Sequence, residues 1–306
     1  MSEFSSEVGS EVSGQKLLLG DVEVSRVVEV ERFPLPARTV VPEVPAEVWR
    51  DNEEWLVPDH WDPGSGDALA LMQTWVLRSE GRTVLVDTGI GNGRERPGVP
   101  PFEHLDTDYL DRLAAAGVRP EDVDVVVNTH LHGDHIGWNT HNVDGSWVPT
   151  FPNATYLIPA ADHAYFGPDR GDAVRVDNRY GFADSIAPVV QAGQAVLWEG
   201  THRIDSHLTL ESAPGHTPGS SVLRLHSGTD RAVFVGDLLH LPVQILEPCC
   251  SSDFCEDPKE AAESRVRVLG RAADEGELVV PAHFAGTGAV EVRREGGKFG
   301  ISRWVS

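Results

Sequence analysis

The sequence predicts a protein of the α+β class, in which short strands and helices alternate through both halves of the chain. Apolar runs of strand length end at Gly or Pro turns near residues 86–89, 127–133 and 235–237. Helical spacing of apolar residues appears between such runs, most clearly at residues 258–273. A chain of 306 residues can bury a substantial core as one large domain or two small ones.

The first half is predicted to be rich in strands. Valines alternating with polar residues predict a strand at residues 21–30, and residues 69–77 and 83–86 are expected to form a hairpin turned at 79–81. Residues 34–63 form a Pro-rich connection, whose tryptophans are expected to pack an ordered loop and not to bind a ligand. The other predicted elements are strands at 123–128 and 155–158 and helices at 108–116, at 179–190 and from about Pro159.

The second half repeats this strand-rich order. Asp257 followed by Pro258 is a typical helix start, and the helix is predicted to run to Ala273. Strands are expected at residues 195–198, 208–212, 221–225, 232–235 and 278–280.

The composition is strongly acidic, with 25 Lys and Arg against 48 Asp and Glu and a formal net charge of −23 at pH 7. Such a surface repels phosphate backbones, and the basic residues form no stripe, so we expect no nucleic-acid partner. The chain contains no run of 18 apolar residues, so we expect no membrane partner either.

Residues 1–15 are rich in Ser, Glu and Gly and lack a signal-peptide pattern, which predicts a disordered acidic tail on a cytoplasmic protein. The cysteines Cys249, Cys250 and Cys255 fall within seven residues. A zinc knuckle needs better-spaced pairs, so they are interpreted as reduced thiols in a loop.

One short segment contains four candidate metal ligands. Three imidazoles and one carboxylate lie within six residues, directly after an apolar strand: His130, His132, Asp134 and His135. Such a cluster must sit on the turn after the strand, because side chains alternate faces only while a strand lasts. Neutral imidazoles and a carboxylate that converge there predict a site for a divalent cation.

Three later turns add potential ligands of the same kind. His216 lies in a turn bracketed by Gly and Pro, and Asp237 and His283 each follow an apolar run. Seven ligands exceed the needs of one catalytic cation and suit two, with one carboxylate shared. Paired cations of this kind predict a hydrolase.

The segment from Thr129 to Gly137 resembles the His-x-His-x-Asp-His signature of the metallo-β-lactamase superfamily. The later turns match further ligand motifs of that family in the same order, and Asp87-Thr88-Gly89 matches an early loop. The resemblance runs from about Asp21 to the C-terminus. It implies one domain over residues 16–306 with an αβ/βα sandwich fold, in which two mixed sheets pack face to face and helices lie outside.

The resemblance also implies a role for each ligand. His130, His132 and His216 would hold a first metal, Asp134, His135 and His283 would hold a second, and Asp237 would bridge them. The expected cofactor is two Zn²⁺ per chain, with Mn, Fe or Co as alternatives. Asp87 would orient a ligand imidazole through its second nitrogen.

Three branches of this family fit the sequence less well. True β-lactamases lack a bridging Asp at the position of Asp237, and the acidic composition argues against a nuclease. The iron-dependent oxidoreductases have fewer ligands or carry an additional flavin domain. Segments 137–140, 148–154 and 236–240 look most similar to lactonases and organophosphate hydrolases. The expected reaction is the opening of a small ester or lactone, similar to an acyl-homoserine lactone, by a metal-bridging hydroxide. Asp134 or Asp237 would relay a proton.

Several alternatives remain open. A phosphotriester or thioester hydrolase, an iron-dependent oxidoreductase and a non-catalytic metal-binding protein would carry similar ligands. His240 could face the substrate or pack behind the ligands, and Trp138 could wall the pocket or pack beneath the turn. Tyr165 and Tyr180 are the candidate tyrosine donors to the substrate. A homodimer is also left open.

Overall fold

Two mixed β-sheets form the centre of the protein in a computed structural model, which describes residues 16–305 except the side chain of Asp172. The tail predicted at residues 1–15 lies outside the described residues. The first sheet and a separate hairpin use the strands β1 (Lys16–Leu19), β2 (Val22–Pro36), β3 (Trp61–Asp62), β4 (Asp67–Ser79), β5 (Arg82–Val86), β6 (Val125–Val127), β7 (Thr140–Val143), β8 (Ser146–Pro149), β9 (Thr155–Pro159) and β10 (Ala195–Trp198).

The first sheet has the order β1-β2-β4-β5-β6-β9-β10, with β3 paired to β4, while β7 and β8 form the hairpin. Strands β5, β6, β9 and β10 run parallel, and β1, β2 and β4 are antiparallel. The second sheet follows the chain order of β11 (Thr201–Arg203), β12 (Leu208–Ser212), β13 (Ser221–Ser227), β14 (Asp230–Gly236), β15 (Leu278–Pro281), β16 (Ala289–Glu295) and β17 (Lys298–Val305). There β14 and β15 are parallel neighbours.

Helices cover the outer faces of the sheets. The α-helices are α1 (Ala37–Val40), α2 (Ala46–Asp51), α3 (Glu53–Leu56), α4 (Tyr109–Ala115), α5 (Gly133–Ile136), α6 (Ala160–Phe166), α7 (Val176–Gly181), α8 (Ala187–Gln191), α9 (Val243–Leu246) and α10 (Pro258–Glu275). Short 3₁₀ turns occupy Pro100–Phe102, Pro120–Asp122, Gly137–Asn139 and Pro168–Ala173, and a π-helical turn at Phe182–Ile186 joins α7 to α8.

Three apolar layers hold these elements together. Between the sheets, residues such as Trp75, Val86 and Phe234 form one shared core. The outer face of the first sheet packs against α4 and the segment α6–α8, and the outer face of the second packs against α10. The predicted αβ/βα sandwich is therefore confirmed.

The predicted strands and the long helix are present, with shifted ends. Strand β2 continues to Pro36, and the Asp257 side chain accepts a hydrogen bond from the Glu260 amide at the start of α10 (2.9 Å). The hairpin of β4 and β5 turns at Glu80 and Gly81, which both have positive φ as a two-residue hairpin turn requires.

Two predictions need correction. The connection at residues 34–63 is not a plain loop, because it contains α1, α2, α3 and β3. Its tryptophans do pack as predicted, with the rings of Trp49 and Trp61 5.7 Å apart. The helix predicted at 179–190 starts earlier, at Val176, and is interrupted by the π-helical turn. Among the described helices, none is long and apolar enough to cross a membrane.

Candidate metal centre

The seven predicted ligands meet at one edge of the sandwich. Strand β6 ends just before His130 and His132, and α5 then carries Asp134 and His135. The other three ligands come from the second sheet: His216 from the turn between β12 and β13, Asp237 directly after β14, and His283 after β15. Because β14 and β15 are parallel, their carboxyl ends present Asp237 and His283 to the same place.

Four donor atoms form the first group. His132 Nδ1 lies 3.2 Å from His130 Nε2 and 2.9 Å from His216 Nε2. Asp237 Oδ2 lies 3.3 Å from His216 Nε2 and 3.7 Å from His130 Nε2. Donors bound about 2.1 Å from one tetrahedral cation lie about 3.4 Å apart, so these four atoms have the spacing of a zinc-type site.

The second group has similar spacing. His135 Nε2 and His283 Nε2 are 3.2 Å apart, and Asp134 Oδ2 lies 3.7 Å from each of them. Asp237 turns its other oxygen to this group, with Oδ1 2.9 Å from His283 Nε2 and 3.2 Å from His135 Nε2. Although it is buried, Oδ1 accepts no hydrogen bond from the described residues. A cation would satisfy this oxygen, so the residues fit two ions that share Asp237.

Partners on the far side of the imidazole rings hold the ligand nitrogens in place. Asp87 Oδ2 accepts hydrogen bonds from His135 Nδ1 and from the Thr129 hydroxyl, both at 2.8 Å. Thr129 Oγ1 in turn lies 3.1 Å from His130 Nδ1, so Asp87 supports one ligand of each group. His283 Nδ1 donates to the Leu71 carbonyl (2.7 Å), and His216 Nδ1 lies 3.6 Å from the Cys255 thiol.

Burial and charge set the protonation of the site. Burial lowers the pKa of His130 and His216 well below its usual value, so both rings are neutral, as metal ligands must be. Burial also acts to lower the pKa of His135, but the Asp237, Asp134 and Asp87 carboxylates raise it well above its usual value. A cation that binds at His135 therefore displaces a proton.

A cavity of about 360 Å³ opens beside the two groups. His132, Asp134, Asp237 and His283 reach its wall. Much of the remaining wall is apolar and comes from β2, β4, the 3₁₀ turn at Pro100–Phe102 and the loop before α10: Phe33, Leu35, Met72, Val99, Phe102 and Phe254. The site therefore combines a polar floor with an apolar wall, as small-molecule pockets do.

Comparison with known proteins identifies the family. The model of the metallo-beta-lactamase superfamily matches residues 73–283, which include all seven candidate ligands. This chain belongs to the metallo-beta-lactamase superfamily. The superfamily resemblance inferred from the His-x-His-x-Asp-His segment is thereby confirmed.

Several of the curated relatives are named as hydrolases. The chain is 31% identical over 128 residues to the N-acyl homoserine lactonase AttM of Rhizobium radiobacter, a match that covers 40% of this chain and 43% of AttM. It is 27% identical over 189 residues to the hydroxyacylglutathione hydrolase of Halorhodospira halophila, covering 58% and 66% of the two chains. The chain thus spans less than half the length of the AttM relative.

Solved structures of superfamily members share the fold over nearly the whole chain. The hydrolase AbOPH superposes with a TM-score of 0.76 at 23% identity, covering 94% of this chain and 95% of its own. AidC, described as a dizinc quorum-quenching lactonase, superposes with a TM-score of 0.73 at 20% identity, covering 94% and 96%. At these identities the likeness shows the metallo-beta-lactamase fold.

The less certain candidates fall into two groups. His240 lines the cavity, with Nε2 3.2 Å from Asp237 Oδ2 and no hydrogen-bond partner among the described residues for either ring nitrogen. Trp138 packs beneath the ligand turn, stacked on Tyr109 at 5.2 Å, and is not among the residues that line the cavity. Tyr165 and Tyr180 do not line it either.

Sequence reasoning missed two buried acids that support the candidate site, Glu29 and Asp162. Buried Glu29 accepts hydrogen bonds from the amides of Ile90 (2.6 Å) and Gly91 (3.1 Å) and from Trp138 Nε1 (2.7 Å), and so anchors the loop after Asp87. Buried Asp162 accepts three hydrogen bonds from the ligand loops. Neither acid lies near the ligand motifs in the sequence, so no local signal identifies them.

The cysteines are free thiols, as predicted. Burial raises the pKa of Cys255 to about 11, so this thiol stays neutral at pH 7. Its role beside His216 is that of a hydrogen-bonding neighbour and not of a metal ligand, because it faces the nitrogen that points away from the first group.

Proposed function

We propose that this chain is a metal-dependent hydrolase that opens an ester or lactone bond of a small molecule, with zinc as the metal. The observation that carries the proposal is the placement of Asp237. Its two carboxylate oxygens face two separate sets of imidazole nitrogens, and each oxygen lies 2.9–3.7 Å from the nitrogens that it faces. Imidazole nitrogens with few carboxylates suit zinc, while Mn, Fe or Co could bind the same set.

Each residue then has a role. Two bound cations would lower the pKa of a water molecule to about 7 and polarise a carbonyl oxygen. His130, His132 and His216 would hold one cation, and Asp134, His135 and His283 the other. Asp237 would keep the pair together, and Asp87 would keep the rings of His135 and His130 aligned.

Proton transfer needs a carboxylate within reach of the reacting group. Both acids line the cavity, and Asp134 is the more accessible of the two, with 19% of its side chain exposed against 5% for Asp237. Asp134 is therefore the better placed to receive a proton and return it to the leaving oxygen. Asp237 is a second candidate for the same role.

The apolar wall of the cavity favours a substrate with an apolar part. Side chains such as Phe33, Met72 and Phe102 exclude water from one side of the site, and burial of apolar substrate surface against them would be favourable. A lactone or ester with an acyl chain has this character. The names of the relatives make N-acyl homoserine lactones the first compounds to test, followed by thioesters and phosphotriesters.

A substrate panel tests the reaction class. The protein is stripped with a chelator, reloaded with zinc and assayed on N-acyl homoserine lactones, aryl esters, thioesters and phosphotriesters. We expect turnover of lactones to exceed that of the other classes, to disappear in the stripped protein and to return with zinc. Selective turnover of phosphotriesters or thioesters would replace the lactone as the proposed substrate. Iron bound to the protein before it is stripped, together with consumption of oxygen by the iron-loaded protein, would contradict the proposal of a hydrolase.

His240 is expected to donate a hydrogen bond to the substrate. The residue is 5% exposed and lies at the cavity wall, and neither ring nitrogen has a hydrogen-bond partner among residues 16–305. We predict that His240→Ala keeps both ions and lowers kcat by about 100-fold, the usual effect of removing one donor to a developing oxyanion. His240→Gln, which retains a donor, should recover part of the loss. Unchanged kcat in His240→Ala would show that the ring only packs.

Partners and location stay predictions. We retain a small-molecule substrate, no nucleic-acid partner, no membrane partner and a cytoplasmic location, on the acidic composition and free thiols. A homodimer is not required by the proposed site, because all seven ligands come from one chain.

A further inference from the structure

Helix α6 contacts the first group of ligands through one ring and the loops that carry these ligands through one carboxylate. Its Asp162 is fully buried and accepts hydrogen bonds from two separate loops. One turn later, Phe166 packs its ring against His132, with the ring centroids 5.6 Å apart. The helix contributes no ligand itself, so its contacts act on the position of the ligands.

The Asp162 carboxylate joins the two loops that supply the first group. Oδ2 accepts from the amide of Leu131 (3.1 Å), the residue between His130 and His132. The same oxygen accepts from the hydroxyl of Thr217 (2.8 Å), the residue after His216. Oδ1 accepts from the Gly219 amide (2.6 Å). One side chain therefore ties a loop of the first sheet to a loop of the second.

The local chain is adapted to this contact. A Cβ on Gly219 would lie 2.7 Å from Asp162 Cγ, so only glycine lets the backbone approach the carboxylate this closely. Among the described residues, no cationic side chain forms an ion pair with Asp162, although its side chain is fully buried. A buried carboxylate without a counter-ion is costly, which argues that its three hydrogen bonds serve a specific arrangement.

We infer that Asp162 is a positioning residue that sets the affinity of the first metal position, held by His130, His132 and His216, and leaves the second position unchanged. The inference rests on the metal assignment of the proposed function. Partners that orient ligands change metal affinity by about 10–100-fold. A second hydrogen bond between the two loops, from the Ser221 hydroxyl to the Thr129 carbonyl (2.8 Å), does not involve Asp162, so we expect the fold to persist when Asp162 is altered.

The test is stepwise zinc binding to the chelator-stripped protein, followed by competition with a coloured chelator. In Asp162→Asn, an amide NH₂ group replaces one of the two accepting oxygens. It then faces a backbone NH or a hydroxyl donor and cannot accept that hydrogen bond. We expect this variant to weaken one of the two affinities by about 10–100-fold and to leave the other within error. Thr217→Val removes only one of the three hydrogen bonds and should give a smaller loss at the same position.

Two further variants make the result specific. In a His283→Gln background, which lacks a ligand of the second position, Asp162→Asn should lower the affinity for the remaining ion by the same factor. Asp205→Asn is the matched control, because Asp205 is also buried and accepts two backbone amides, from His207 (2.8 Å) and Leu208 (2.9 Å), away from the ligand loops. It should leave both affinities unchanged.

The outcomes separate this inference from the proposed function. If the unaltered protein binds fewer than two ions, the metal assignment itself fails. If it binds two, and Asp162→Asn leaves both affinities unchanged or lowers both equally, Asp162 has no selective positioning role and the inference is overturned. Cobalt spectra of the variants give a second readout, since only the band of the first position should shift.

Discussion

The Asp237→Ala variant is expected to lose the metal pair, and its turnover is expected to fall by more than about 100-fold. A loss of about 100-fold is the upper range for removal of a residue that only orients a ligand. The reason is geometric: Oδ2 faces His130 and His216, while Oδ1 faces His135 and His283. Removal of both oxygens leaves each group one donor short. Metal content after gel filtration and the rate of lactone opening measure the two effects.

Asp237→Asn gives a graded comparison, because its amide keeps one oxygen. We expect it to retain one ion and little activity. Asp230→Ala is the control, since Asp230 is an exposed acid at the opposite end of β14. Two retained ions and normal turnover in Asp237→Ala would remove the bridging role.

Gly137→Ala is expected to destabilise the fold by about 3 kcal/mol or more, the upper range for overpacking. A Cβ at Gly137 would lie 1.8 Å from the Ile90 carbonyl oxygen and 2.5 Å from the Gly91 amide nitrogen. These are backbone atoms that cannot rotate away. The two segments must separate, which also displaces the ligand turn two residues earlier. Urea unfolding measures the loss.

Gly297→Ala is the matched control for this prediction. An added Cβ at Gly297 meets nothing within 4 Å, and the residue has no positive φ. We expect its free energy of unfolding to change by about 0.5 kcal/mol or less. Equal unfolding midpoints for the two variants would show that the approach of Gly137 to Ile90 is not as tight as the structure indicates.

The grouping of the seven candidate ligands could be predicted from the sequence because most of them follow a local rule. An apolar run places the backbone in a sheet, and the turn at its end presents the next polar side chain to the edge. His130, Asp237 and His283 all follow such runs, and parallel neighbours bring their ends together. The long helix α10 was predictable for a similar reason, since Asp257 and Pro258 mark its start locally.

The remaining features depend on contacts distant in the chain. Asp162 and Glu29 matter because of loops that fold onto them, so their sequence neighbours carry no signal. The hairpin of β7 and β8 was missed although Asp144-Gly145, with positive φ at both residues, is a typical two-residue turn. Helices α1 and α2 were not predicted because each follows a proline, Pro36 and Pro45, in a segment whose prolines suggested a loop.

The most direct test of the two-ion site is a crystal structure of the zinc-loaded protein with anomalous data at the zinc edge. The structure predicts two peaks per chain. One should lie among His130, His132, His216 and Asp237 Oδ2, and the other among Asp134, His135, His283 and Asp237 Oδ1. A single peak per chain, or a second peak that does not contact Asp237, would contradict the shared-carboxylate site.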